Sequence, residues 1–326
     1  MSVFSVCSIF MFLIFRSKSQ RQLVLLAIVT LLAVGMAGAE ERIQDRRVMS
    51  WVPPYAVDAC MERLNESFNG VGMKDGLTHL GLQFWNPTAE GGLKVVSRFA
   101  PITEATIAKF RQWGETHGIR VMLCVYNGTA AGWDWDLATS AFETNRAAFV
   151  EALVSEAVLL QLDGVDIDLE GNGKLDASKE AFVLFIKELS ERLQAKGKEL
   201  TLDTFSHQWH VPNQTWWPAL LPHLDGLHVM GYSETGAGGT GWRGYDFLKA
   251  AAGEHHAKLA LGMASHKAAW QGAPAMKHLR WIIADESVGL AIWDARLKEP
   301  VWRTADIWKA IAKIKAGGAQ PQPAGK

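Results

Sequence analysis

Eight short runs rich in β-branched and aliphatic residues recur along the chain, with helical apolar spacing between them. The runs are Arg47–Val52, Leu77–Trp85, Ile119–Tyr126, Leu162–Glu170, Glu199–Phe205, Gly226–Tyr232, Lys258–Met263 and Val288–Asp294. Helical spacing marks Ala105–Thr116, Phe142–Leu160, Lys179–Ala195 and Ala275–Ala284. Thr103 before Glu104, and Ser178 before Glu180, fit as helix openings. Strands that alternate with helices imply βαβ units and a parallel sheet. Eight such units over about 270 residues match an α/β fold of the (β/α)8 TIM-barrel type, in a single domain. A doubly wound sheet would want a Gly-rich phosphate turn after an early strand, and none of the strand ends carries one.

The barrel is expected to occupy residues 40–315. Upstream, the apolar run 23–35 follows Arg16, Lys18 and Arg21 and is succeeded by the small-residue exit Ala37-Gly38-Ala39. That pattern predicts a signal peptide or N-terminal membrane leader over 1–39, since the run is shorter than the ~20 residues needed to span a bilayer. Cleavage would send the protein to the periplasm or outside the cell; a retained leader would anchor it to the membrane. Residues 316–326, rich in Gly, Pro and Ala, fit a disordered tail.

Composition narrows the function. The 326 residues are 48% hydrophobic and 21% charged with a formal net charge of -1, so there is no basic excess to neutralise phosphates and no nucleic-acid partner is expected. No obligate protein partner is expected either. The three cysteines, Cys7, Cys60 and Cys124, make no disulfide framework, although Cys60 and Cys124 could pair. Fourteen Trp against four Tyr is unusual, because each buried indole N–H must find a partner.

The fourth run carries the chemistry. In Asp163-Gly164-Val165-Asp166-Ile167-Asp168-Leu169-Glu170, side chains alternate faces, so Gly164, Asp166, Asp168 and Glu170 share one side. Val165, Ile167 and Leu169 would meet the helices. Three carboxylates about 6.6–7 Å apart then line the lumen, and their mutual repulsion favours holding a proton. Glu170 stands nearest the mouth, where a protonated acid suits general-acid cleavage of a glycosidic bond. A divalent-metal barrel would need ligands from several strand ends, and adjacent strands show no matching acidic or His set. His207 and His210 fit as loop residues. Neither a metal nor a cofactor is expected.

The run DGVDIDLE resembles the signature of glycoside hydrolase family 18, which includes chitinases and endo-β-N-acetylglucosaminidases. The resemblance implies a (β/α)8 barrel cleaving β-1,4-linked N-acetylglucosamine with retention, the sugar's own acetamide serving as nucleophile through an oxazolinium ion. It implies Glu170 as proton donor, Asp168 orienting the acetamide, Asp166 sharing a proton with Asp168, and Tyr232 of Met230-Gly231-Tyr232 donating to the acetamide carbonyl. Trp293 resembles the aromatic floor beneath the reacting sugar. The partner would be a chitin-like, peptidoglycan or N-glycan-core glycan. A catalytically inactive glycan-binding barrel is the alternative, against which the intact Glu170 argues.

Two positions depart from the family pattern. Ser233, followed by Glu234, stands where Asp often follows the Tyr, and Cys124-Val125-Tyr126-Asn127-Gly128 replaces a Ser-x-Gly-Gly turn. No function is carried onto Cys124. Trp85, Trp133, Trp135, Trp209, Trp242, Trp270 and Trp293 fall at or after strand ends and suggest a carbohydrate groove, whereas Trp113, Trp281 and Trp308 suit helix packing. Only Ala264–Gly272 separate the seventh run from the next helix, which excludes the inserted chitinase domain and predicts an open groove.

Overall fold

A computed structural model describes residues 46–171, 175–204, 213–232 and 241–317. Eight parallel strands form its wall: β1 (Val48–Val52), β2 (His79–Pro87), β3 (Arg120–Tyr126), β4 (Gly164–Asp168), β5 (Glu199–Thr204), β6 (Gly226–Val229), β7 (Leu259–Ala264) and β8 (Gly289–Trp293). The ring closes because β1 pairs with both β2 and β8, aligning Met49 with His79 and with Ala291. Closure excludes the doubly wound alternative and fixes the (β/α)8 barrel.

Each strand is followed by a helix: α1 (Val57–Leu64), α2 (Glu104–His117), α3 (Arg146–Leu159), α4 (Lys179–Gln194), the single-turn α5 (Trp217–Leu220), α6 (Gly241–Ala252), α7 (Ala273–Asp285) and α8 (Ala305–Ala316). The Thr103 hydroxyl accepts from the Thr106 amide at 3.2 Å and caps α2 as its sequence suggests. α3 starts later than its apolar spacing predicts. Asn145 Nδ2 donates to the carbonyls of Ser140 (3.0 Å) and Ala89 (2.8 Å), and this side-chain competition sets off a π turn at Ser140–Thr144 from the helix proper.

Outward-facing Val121, Leu123, Val125, Val165, Ile167, Leu200 and Leu202 are buried beneath the helices. Against them pack Phe149, Leu153, Phe185 and Leu189 of α3 and α4, with Phe149 and Phe185 stacked at 5.2 Å. Trp113 and Trp308 are likewise buried on their helices. Cys60 and Cys124 stand free and buried, unpaired with each other.

The lumen is filled in layers. At its base Glu199 receives Arg47 Nη2 (3.1 Å) and His79 Nε2 (2.9 Å), with Arg120 against its other oxygen. Above lie Met49, Trp51, Met122, Cys124, Ala260 and Ala291, an apolar plug. A Cβ on Gly81 would lie 2.6 Å from the Trp51 ring, so only glycine leaves room for that indole. With the floor sealed, a ligand has access only at the C-terminal mouth.

β7 ends at Ala264 and α7 begins at Ala273, leaving no space for an inserted domain. The expected leader at 1–39 lies outside the described residues, as do 318–326 of the expected tail; Ala316 still belongs to α8. Among the described residues no helix is long and apolar enough to cross a membrane.

Candidate active site

Above the plug, the strand ends present a polar layer. Asp166, on β4, is fully buried and accepts from Trp51 Nε1 (2.8 Å) and Thr201 Oγ1 (2.5 Å). His228 Nδ1 lies 2.8 Å from Asp203 Oδ1 and 3.5 Å from Asp166 Oδ1. Burial pushes the Asp166 carboxyl up, but the donors from His228, Thr201 and Trp51 outweigh it and hold the group below its ordinary value. Asp166 is therefore a fixed anion beneath the site.

Two residues further along, Asp168 faces a different environment. Its Oδ2 accepts from Gln83 Nε2 at 2.6 Å, while its Oδ1 is buried and is reached by no amide or hydroxyl donor among the described residues. Burial, together with the Asp166 charge, raises Asp168 to about 7. Glu170 lies beyond the end of β4, beside Asp168, and burial and the Asp168 carboxylate push it well above the ordinary range. The two carboxyls share a proton across the cavity floor. The resemblance places a shared proton between Asp166 and Asp168; the three donors on Asp166 hold it low, and its charge helps to raise Asp168.

A cavity of about 260 Å³ opens over this pair, lined by Gln83, Trp133, Asp168, Glu170, Asp203, Met230, Tyr232, His266, Lys267 and Trp293. Trp293 ends β8 with its ring tilted against Trp51, centroids 6.0 Å apart. Tyr232 lies just past β6, and burial and the surrounding carboxylates push its phenol well above the usual value, so it stays a donor. Trp133 is 39% exposed on a small hairpin, Gly128–Thr129 with Gly132–Trp133, above β3.

Three aromatic candidates do not line this cavity. Trp85 would share the lumen face with Gln83 in a regular strand, but the register of β2 against β3 slips between Gln83 and Trp85. The bulge turns Trp85 outward, fully buried, with its indole N–H donated to Glu156 at 3.1 Å. Trp135 packs at 5.6 Å on Phe142 and lines a separate shallow hollow with Thr129 and Asp134. Trp270 is fully buried and donates its indole N–H to the Tyr232 carbonyl at 2.8 Å. It heads a chain in which Trp302 donates to the Trp270 carbonyl (3.1 Å) and Trp308 to the Trp302 carbonyl (2.8 Å). Three of the fourteen tryptophans thus form an internal brace that ends at Tyr232. Trp209, His207, His210, Ser233 and Glu234 lie outside the described residues, as does the side chain of Trp242.

The expectation that neighbouring strands carry no matching acid or His is overturned. Asp203 of β5 and His228 of β6 face the lumen beside Asp166, and ligand atoms of Cys124, Asp166 and Asp203 lie within 4.8 Å of one another. Donors from Trp51, Thr201 and His228 already engage the aspartate oxygens, so the cluster works as a hydrogen-bonded network.

The sequence profile of glycosyl hydrolases family 18 matches residues 58–315. The chain belongs to that family. It is a glycoside hydrolase, and its barrel resembles those of several solved structures. A chitinase from Chromobacterium violaceum shares 17% identity with a TM-score of 0.63, over 85% of this chain and 100% of that one. A class V chitinase from Pseudomonas fluorescens shares 15% at 0.64, over 82% and 98%. The spore cortex-lytic enzyme SleL of Bacillus cereus shares 12% at 0.64, over 82% and 74%. At these identities the likeness establishes the common fold. No curated protein sequence matches the chain.

The buried acids make the hydrolase's stability depend on pH. Asp168, Glu170 and Asp203 all have raised values in the fold, whereas the unfolded chain releases these protons near pH ~4. The native state therefore binds more protons, and their stabilisation is present at low pH and lost as pH rises through the folded values. Asp166, lowered in the fold, titrates below the range of these acids, while His79, His228 and His266, also lowered, bind more protons in the unfolded chain and oppose the acids up to about pH 6.5. Above that point the histidines are neutral in both states, so the melting temperature should fall between about pH 7 and pH 8, and Asp203→Asn should flatten that fall; calorimetry showing a rise over the same window would contradict it.

Proposed function

We propose that this hydrolase cleaves β-1,4 linkages in N-acetylglucosamine-containing glycans with retention, the substrate acetamide attacking the anomeric carbon to form an oxazolinium ion. The observation that carries this reading is Asp168 Oδ1, a buried carboxylate oxygen that no amide or hydroxyl of the described residues reaches, at the floor of a cavity where Asp168 hydrogen-bonds Glu170 through a shared proton. An acetamide N–H entering the cavity supplies the missing donor. Asp168 then orients the amide and stabilises the positive charge that grows on its nitrogen.

Glu170 gives its proton to the leaving oxygen, and the acetamide oxygen closes on the anomeric carbon. The carboxylate so formed removes a proton from water as water opens the oxazolinium ring, which returns Glu170 to its starting state. Tyr232 and Trp293 line the cavity, and in this reading the Tyr232 hydroxyl donates to the acetamide carbonyl while the Trp293 indole meets the C–H face of the sugar.

Chitin and peptidoglycan are both favoured as sources of such a sugar. Relatives in fold include chitinases and spore cortex-lytic enzymes, and the short β7–α7 connection leaves the groove open to internal cleavage. The reading includes export by the leader at 1–39, on the sequence pattern alone. Incubation with chitin oligomers, peptidoglycan and N-glycan cores, followed by mass analysis, should yield fragments ending in N-acetylglucosamine from at least one of them. Intact substrates in all three would overturn the proposal.

A further inference from the structure

The mechanism leaves unexplained what holds Glu170. β4 ends at Asp168, so the acid stands two residues beyond the last ladder hydrogen bonds, at the start of a loop. A carboxyl on an unsupported loop would sample many positions, and general-acid catalysis falls steeply with misplacement.

The support comes from Asn127, one residue past the end of β3 and fully buried. Its side-chain amide grips the Glu170 backbone from both sides: Oδ1 accepts from the Glu170 N–H at 2.8 Å, and Nδ2 donates to the Glu170 carbonyl at 2.6 Å. The same Nδ2 donates to the Asp134 carbonyl at 2.9 Å, and the Asp134 N–H donates back to the Asn127 carbonyl at 3.0 Å. Asp134 directly follows Trp133, the exposed indole of the cavity wall. Gly128, next in sequence, is packed so closely that a Cβ there would lie 2.8 Å from the Tyr126 ring. The segment Tyr126-Asn127-Gly128 therefore builds a rigid collar.

Given the proposed chemistry at Glu170, the geometry points to Asn127 as the positioning residue that fixes the acid's reach and locks it in register with the Trp133 wall. The turn that departs from the family's Ser-x-Gly-Gly pattern thus holds the acid. Asp would retain the acceptor but lose the Nδ2 donor that binds both carbonyls; Ala would lose all three bonds.

A residue that only braces the fold would slow all substrates alike. One that positions a proton donor should matter in proportion to how much the leaving group needs the proton. Asn127→Asp and Asn127→Ala are compared with wild type on two substrates: a chitooligosaccharide, whose alcohol leaving group requires protonation, and the 2,4-dinitrophenyl glycoside of N,N′-diacetylchitobiose, whose leaving group does not. Both variants should lose at least about tenfold in kcat/KM on the oligosaccharide and stay close to wild type on the aryl glycoside. Glu170→Gln, run alongside, should show the same selectivity. If it does and the Asn127 variants do not, the role given to Asn127 falls alone; if Glu170→Gln shows no selectivity, the general-acid reading falls first. Equal losses on both substrates, no loss on either, or failure of both Asn127 variants to fold by circular dichroism would overturn the inference.

Discussion

Replacing Glu170 with glutamine should lower kcat on an oligosaccharide by roughly 10²–10⁴-fold, the range a well-placed general acid supplies, and leave sugar affinity nearly intact. The amide has the shape of the acid and none of its transferable proton. In the wild type that proton is held more tightly because burial and the neighbouring Asp168 carboxylate push Glu170 well above the ordinary range. Affinity persists because the cavity's aromatic and polar lining, Trp133, Trp293, Tyr232 and Met230, is untouched by the change. Calorimetric titration of the variant with a chitooligosaccharide, beside a turnover assay, separates the two quantities. Turnover at the wild-type rate would remove Glu170 from the mechanism, and loss of binding together with turnover would make it a contact residue.

A glycan whose reacting sugar is glucosamine should be cleaved at least about 10³-fold more slowly than its N-acetylated counterpart, because an internal nucleophile is worth an effective concentration of 10⁵ M or more. An ordinary retaining enzyme would supply a carboxylate nucleophile about 5–5.5 Å from its acid. Here the adjacent carboxylates are committed otherwise. Asp166 is saturated by Trp51, Thr201 and His228 a layer below the cavity, and Asp168 is held by Gln83 and shares its proton with Glu170. The Asp168 oxygen that Gln83 does not hold suits an incoming N–H better than it suits attack on carbon. Matched oligosaccharides compared by mass spectrometry check the difference; equal rates would mean that a protein carboxylate does the work.

The barrel was legible because its strands are short, aliphatic and evenly spaced. All eight runs became strands, with ends set where ladder pairing stops and not where the pattern stops. Glu170 and Tyr232 continue the pattern of β4 and β6 but lie outside the ladder, which is why their placement depends on side chains such as Asn127 and Trp270. The acidic alternation on β4 was legible for the same period-two reason.

Facing direction was legible only where a strand is regular. One slipped residue in β2 inverted Trp85, and no local feature of the sequence marks that slip. Gln83, Asp203 and His228 stand in strands that carry no motif to mark them. The inward phase of Thr201 and Asp203 in β5 was available as a signal, but its meaning comes from barrel closure, which brings β2, β5 and β6 around β4. Tryptophan count pointed to a sugar groove, yet Trp270 of that set proved to brace a carbonyl, in a chain with Trp302 and Trp308.

The central claim is that the substrate's amide oxygen attacks the anomeric carbon while Glu170 protonates the leaving group. It is tested most directly by kcat/KM across a series of aryl chitobiosides whose reacting sugar carries acetyl, fluoroacetyl, difluoroacetyl or trifluoroacetyl on nitrogen. Each fluorine withdraws electrons from the attacking oxygen without removing the group, so the account predicts a steep, monotonic fall along the series. A flat series would contradict it.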